Sequence, residues 1–327
     1  MALFKKKNRE VAPTNKMSEA LAPNPILQPF SHKKWEIIGN ILNYYETSNM
    51  HKRQGPVKEF FYRFSRSFAG VFGAVTLLIL IVLAVIIPFF TQDPTSMNIE
   101  ARNQTYFTDG HILGTDVLGR DLWARLWWGL RYSLALSFVV TIIEVAIGLS
   151  VGIAMGHFRM FDKIMTFFIK IISNVPSIII LIVFTIVLKP TFWVIVFALS
   201  FTSWTGMANQ MRSQVMRAKN FEWVNASKIL GTPTYKVLLN YLPVVVPILV
   251  TQIVFSIPGV ILSETSLAFI GLSIPSIPTL GNLITDGSKI FVSSPRYVLI
   301  PSFMLVLVTT SIQLMSASVQ DSLLRQR

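Results

Sequence analysis

The sequence predicts an all-α, polytopic membrane protein whose helices cross a bilayer six times, and three observations carry that expectation. Hydrophobic residues make up 52% of the 327-residue chain and charged residues only 14%, against roughly 25% charged in soluble domains. Six apolar stretches, at 69–90, 133–156, 164–188, 191–209, 243–265 and 297–319, each have the roughly 17 to 25 helical residues that about 30 Å of hydrocarbon requires. Of the 29 Lys and Arg residues, 21 fall in the termini and loops on one side of those spans and 7 on the other, with Lys170 inside a span. Under the positive-inside rule, both termini are then cytoplasmic.

The same composition sets other classes aside. A net charge of +13 interleaved with long apolar runs follows membrane topology, so the expected partner is a lipid bilayer and no nucleic acid. Without a cysteine there is no disulfide framework, thiol nucleophile or thiolate metal site. The histidines, at 32, 51, 111 and 157, lack ligand spacing, and no metal is expected. The first 66 residues are polar, with no apolar core followed by a small-residue cleavage site, so no cleaved signal is expected.

In chain order, residues 1–56 read as a basic cytoplasmic tail, largely disordered, whose Lys5, Lys6 and Lys7 favour an anionic leaflet. Over 57–68, Val57, Phe60, Phe61, Phe64 and Phe68 share one helical face while Lys58, Arg63 and Arg66 lie elsewhere. Such an amphipathic helix either lies in the membrane interface or packs on its own protein. The first span, 69–90, leads into an outer loop at 91–132. Residues 133–323 supply the other five spans, a cytoplasmic loop at 210–242 and a second outer loop at 266–296. Both outer loops are polar and Pro-rich, and suit either contact with a soluble partner or plain solvation.

Within the spans, Gly148, Gly152 and Gly156 form two small-xxx-small steps that let a neighbouring helix approach closely. Gly148-Leu-Ser150-Val-Gly152 also matches a hydrolase nucleophile elbow, but that motif needs a strained strand-to-helix turn and Ser150 lies in an apolar helix. Glu144 and Lys170 are charges inside lipid, expected to face protein or water. Their depths differ by about 6 Å at helical rise, so they either pair across helices or Lys170 snorkels outwards. Glu264, near the outer end of the fifth span, either lines a path or caps the segment after it. Pro176, Pro247 and Pro258 interrupt helical hydrogen bonding, and Pro176 is a candidate for a gate.

The cytoplasmic loop is the most informative segment. In Phe221-Glu222-Trp223-Val224-Asn225-Ala226-Ser227-Lys228-Ile229-Leu230-Gly231-Thr232-Pro233, Gly231 is expected to close one short helix in a left-handed conformation, with Thr232 and Pro233 opening the next. Leu242-Pro243 ends the loop. A compact knob of this kind suits docking in a partner's groove.

This segment resembles the coupling loop of ABC importer permeases, with Asn225, Ala226 and Ser227 at the family's Glu-Ala-Ala positions, Gly231 at its glycine and Leu242-Pro243 at its close. Asn225 and Ser227 are departures from that pattern. His111-Ile-Leu-Gly-Thr-Asp-Val-Leu-Gly-Arg-Asp121, Asn174-Val-Pro-Ser177 and Glu264-Thr-Ser-Leu-Ala-Phe-Ile-Gly-Leu272 look like motifs of the dipeptide and oligopeptide permease C subunits. The resemblance implies the type I permease fold and a cell-membrane subunit with a homologous second permease, two ATPase subunits and an extracytoplasmic peptide-binding protein as partners. It implies coupling through Glu222, Asn225, Ala226, Ser227, Leu230, Gly231, Leu242 and Pro243. No Gly-Lys dipeptide is present for a phosphate loop, so this chain is expected to be no enzyme and to bind no cofactor, with ATP and Mg on the partner subunits. A permease for nickel or another small solute is the alternative within the family, and a stand-alone secondary transporter the alternative outside it.

Overall fold

The computed structural model describes residues 55–324 except 109 and 276. The expected disorder of the basic tail lies outside that range, save for its last two residues. Among the described residues there are helices, turns and two isolated bridges, and no strand.

Helix α1, Pro56–Arg66, ends at Ser67, whose side-chain oxygen accepts the Gly70 N–H at 3.2 Å and so caps α2, Phe68–Ile86. Its apolar face is divided: Phe60 and Phe64 stack and turn towards protein, while Val57, Phe61 and Phe68 stay exposed. A short 3-10 turn, Ile87–Phe89, with Pro88 inside it, carries the first span to its end at Phe89.

The second span is longer than its apolar run. Helix α3, Leu122–His157, has 36 residues, so the outer loop ends at Asp121, not at 132. Asp121 is the reason: its carboxylate accepts the Ala124 N–H at 3.0 Å, and the next turns carry Trp and Arg residues that pack on protein instead of lipid.

The third span is not one straight helix. It breaks into α4, Arg159–Asn174, and α5, Ser177–Leu188, bent by 82°. Pro176 lacks an amide hydrogen and excludes its predecessor from the helical region; Val175 accordingly sits at φ −93°, ψ 128°. With 12 residues, α5 is about 18 Å long, too short to cross alone.

Helix α6, Phe192–Ala218, is followed by the short helices α7, Glu222–Ile229, and α8, Thr234–Leu239, and then by α9, Leu242–Phe269. The outer loop at 266–296 contains a further helix, α10, Leu280–Ser288, and α11, Arg296–Leu324, completes the fold. Helices α2, α3, α6, α9 and α11 are long and apolar enough to cross a membrane, and the α4–α5 pair makes a sixth crossing if counted as one bent span.

Small residues set how closely these helices pack. A Cβ at Gly148, Gly152 or Gly156 would sit 2.5–2.6 Å from Met207, Ala208 and Met211, or Val215, so the expected glycine seam of α3 is closed by α6. Gly73 of α2 is likewise pressed on the Ser311 carbonyl of α11. Cross-links define the two ends of the bundle. At one end Ser67 meets Ser318 at 2.7 Å and the Lys219 ammonium donates to the His157 carbonyl at 2.9 Å. At the other, Tyr297 donates to the Thr115 carbonyl at 2.6 Å.

Candidate functional site

The α7–α8 hairpin projects from the first of these ends. Gly231, at φ +73°, turns the chain where a Cβ would be strained. The Thr232 amide donates to the Ser227 carbonyl at 3.1 Å and the Gly231 amide to the Lys228 carbonyl at 3.0 Å, the paired bonds of a Schellman motif. The next helix starts one residue later than the sequence suggested: Pro233 occupies the N-cap and Thr234 is the first helical residue, with no side-chain cap.

The hairpin's inner side is fixed. Val224, Val237 and Tyr241 are buried between the ends of α6 and α9. The Asn240 amide donates to Ser227 Oγ at 2.9 Å and joins α8 to α7. Tyr241 Oη shares a 2.9 Å hydrogen bond with His157 Nδ1 at the end of α3, and burial pushes the phenol pKa above its ordinary value. Its outer side is free and apolar: Ile229 and Leu230 are 86% and 83% exposed, and Tyr235, Leu239 and Trp223 are exposed too. Glu222, Asn225, Ala226, Leu230 and Gly231 all lie on this open side, while Ser227 is held in the Asn240 bond. Leu242 and Pro243 form the first turn of α9.

One support of this end went unforeseen. Asp162 of α4 and Arg212 of α6 form a two-pronged ion pair, Oδ2 to Nη2 at 2.8 Å with a second bond from Nε to Oδ1. Both residues fall just outside the apolar runs in the sequence, and only the packing of α4 on α6 brings them together.

The remaining candidates are placed elsewhere. Glu144 accepts a hydrogen bond from Ser256 of α9 and is buried, whereas Lys170 is exposed on α4. No ion pair joins them among the described residues, because Ser256 meets the carboxylate directly. Glu264 does not line an open path. It is 2% exposed and accepts a 2.6 Å bond from Thr279 Oγ1, while the same Thr279 oxygen caps α10 by accepting the Asn282 N–H at 3.2 Å. Pro176 marks the exposed α4–α5 break.

The His111–Asp121 motif proves architectural. Asp116 Oδ1 accepts the amides of Leu118 and Arg120, both at 2.9 Å, and its Oδ2 meets Arg120 Nε at 2.7 Å and Arg125 Nη1 at 2.5 Å. Arg125 Nη2 continues to Asp286 of α10 at 3.1 Å. The motif thereby clamps the outer segment to α3 and α10.

Comparison with known proteins assigns this arrangement. Residues 144–325 match the family of binding-protein-dependent transport system inner membrane components, and residues 55–105 match the N-terminal TM domain of oligopeptide transport permease C. The chain is 36% identical over 163 residues to the oligopeptide transport system permease protein AmiD of Streptococcus pneumoniae, covering 49% of this chain and 53% of that one. Over 266 residues it is 29% identical to the dipeptide transport system permease protein DppC of Bacillus subtilis, covering 80% and 83%. Over 271 residues it is 27% identical to the oligopeptide transport system permease protein OppC of the same organism, covering 81% and 88%. With more than half of its length matched across α3 to α11, hairpin included, the chain belongs to the binding-protein-dependent transport system inner membrane components, the type I permeases of ABC importers.

Proposed function

We propose that this chain is one of two homologous membrane subunits of an ATP-driven importer of di- or oligopeptides, and that its α7–α8 hairpin docks in a groove of an ATPase subunit. Ile229 and Leu230 carry the reading. Two large apolar side chains more than four-fifths exposed at a hairpin tip ask for a partner surface, and the buried base makes that tip a rigid lever. The charge asymmetry of the loops supports a cytoplasmic position for the hairpin and for both termini. The names of the relatives support peptides as cargo, delivered by an extracytoplasmic binding protein at the opposite end, with the chain in the cell membrane and ATP and Mg held by the ATPase subunits.

Because the chain has no cysteine, Leu230→Cys creates a unique thiol. In inverted membrane vesicles it is expected to react with a membrane-impermeant reagent and to cross-link to the ATPase subunit. Labelling from the exterior only, or no cross-link in an assembled complex, overturns the reading.

A further inference from the structure

Among the described residues, several membrane helices expose single polar side chains, such as Ser150, Lys170, Thr310 and Gln313, but α6 exposes a whole polar face. Between residues 203 and 217, one face of α6 about 120° wide at 3.6 residues per turn carries Ser203, Gly206, Asn209, Gln210, Ser213 and Arg217 and no apolar side chain. The five from Gly206 onwards are exposed, and Ser203 is half-buried. The apolar outer flank of α6 points another way: Trp193, Phe197, Phe201 and Trp204 line a separate apolar hollow with Ile143 and Ile147 of α3.

Gln210 meets Gln252 of α9, the amide of Gln252 donating to the side-chain oxygen of Gln210. Gln252 lies about 15 Å along α9 from Leu242 at helical rise, which is membrane depth and not its edge. An exposed amide pair at that depth is costly against lipid and is accommodated where it meets water or polar atoms. Beyond the pair, away from the hairpin, come Gly206 on α6 and Gly259 on α9. Both are exposed, and a Cβ at either would find no atom within 4 Å, in contrast to the glycine seam of α3. Still further, the same side of α6 is closed by Ile195 and Leu199, buried against Val260 and Leu267 of α9. The polar face is therefore an open strip beside α9 that runs on towards the hairpin end and stops at a dry plug towards the other.

We propose that this strip, with Gly206, Asn209, Gln210, Gln252 and Gly259, forms one wall of a groove that is a stretch of the translocation path, and that the Gln210–Gln252 pair opens to hydrogen-bond the backbone amides of a passing peptide. Side-chain amides carry both donors and acceptors and no charge, so they match a peptide backbone whatever its side chains. The glycines leave room for those side chains. The inference rests on the peptide-importer reading for its cargo, but the accessibility of the groove to water does not depend on it.

The test uses the assembled transporter in membranes. Gly206→Cys and Gly259→Cys each introduce the chain's single thiol, and both are expected to react with a charged, membrane-impermeant thiol reagent and to be protected by excess tripeptide. Uptake of labelled tripeptide is expected to fall by about tenfold or more along the series Ala, Val, Leu at Gly206, with the second permease still co-purifying. Thiols that resist the reagent, uptake that ignores side-chain size, or loss of the second permease from the complex each overturn the proposal, the last by making this face a subunit contact. An unsubstituted complex that imports no peptide at all, while each cysteine variant is still labelled, removes the cargo and leaves the groove.

Discussion

Asp116 of the outer segment and Arg125 of α3 meet at 2.5 Å, Oδ2 to Nη1, in an ion pair whose members are only 6% and 4% exposed. Buried charges of this kind cost more to separate than they gain by pairing. Asp116→Ala strands Arg125 on Asp286 alone and is expected to destabilise the outer cap by about 3–5 kcal/mol. Asp116→Ala combined with Arg125→Met removes both charges and is expected to cost clearly less than the sum of the single changes. Thermal unfolding of the purified complex over the double-mutant cycle reads the coupling; strict additivity means the two residues act independently.

The seam between α3 and α6 is tested at Gly152, where a Cβ would lie 2.6 Å from the Ala208 carbonyl and from Met211 Cβ. A carbonyl cannot give way as a flexible side chain can. Gly152→Leu is expected to force the helices apart at a cost of at least about 1–3 kcal/mol, lowering the melting temperature and the yield of assembled complex. Unchanged melting means the two helices are not held in this register.

Much of the fold was legible because lipid enforces simple rules: long apolar runs mark spans, and the glycines at 148, 152 and 156 mark a close contact. The Gly231 turn was legible for an equally local reason, since a glycine between a helix end and a proline has few alternatives. What hydropathy did not show is where apolar helices continue into polar sequence. The first three turns of α3 carry Arg125 and Arg131, and α10 arises in a loop because Thr279 supplies a cap. The Asp162–Arg212 and Glu144–Ser256 contacts are separated by 50 and 112 residues, and pairings at that distance follow from helix packing, which no single-chain pattern displays.

Gly231 separates conformation from contact. No atom of this chain lies within 4 Å of an added Cβ, so within the chain substitution there acts through backbone strain, about 1–2 kcal/mol for an ordinary residue in the left-handed region. Asn tolerates that region and Val does not. Under the lever reading, Gly231→Asn is expected to keep uptake tied to ATP hydrolysis, and Gly231→Val to leave the complex in the membrane with ATP hydrolysis poorly coupled to uptake. Peptide imported per ATP hydrolysed, measured in proteoliposomes, decides it; full coupling in the valine variant means that the hairpin's shape is dispensable.

Glu264 and Thr279 offer the same kind of test at the opposite end. Thr279 donates to the carboxylate and accepts from Asn282, so one hydroxyl both caps α10 and satisfies a buried acid. Thr279→Val removes the cap, worth about 0.5–2 kcal/mol, and strips the carboxylate of this bond, for about 1–3 kcal/mol more. Glu264→Leu leaves the cap intact and removes the buried acid, so it is expected to be the milder change. Adding Glu264→Leu to Thr279→Val is then expected to restore part of the lost stability, since no unsatisfied carboxylate remains. Protease sensitivity of the 270–296 segment reports whether α10 stays seated. If Thr279→Val leaves that segment as protected as in the unmodified chain, α10 is held by Gly281 packed on Thr265 and Ala268 and by its apolar face, and the Glu264–Thr279 bond is incidental.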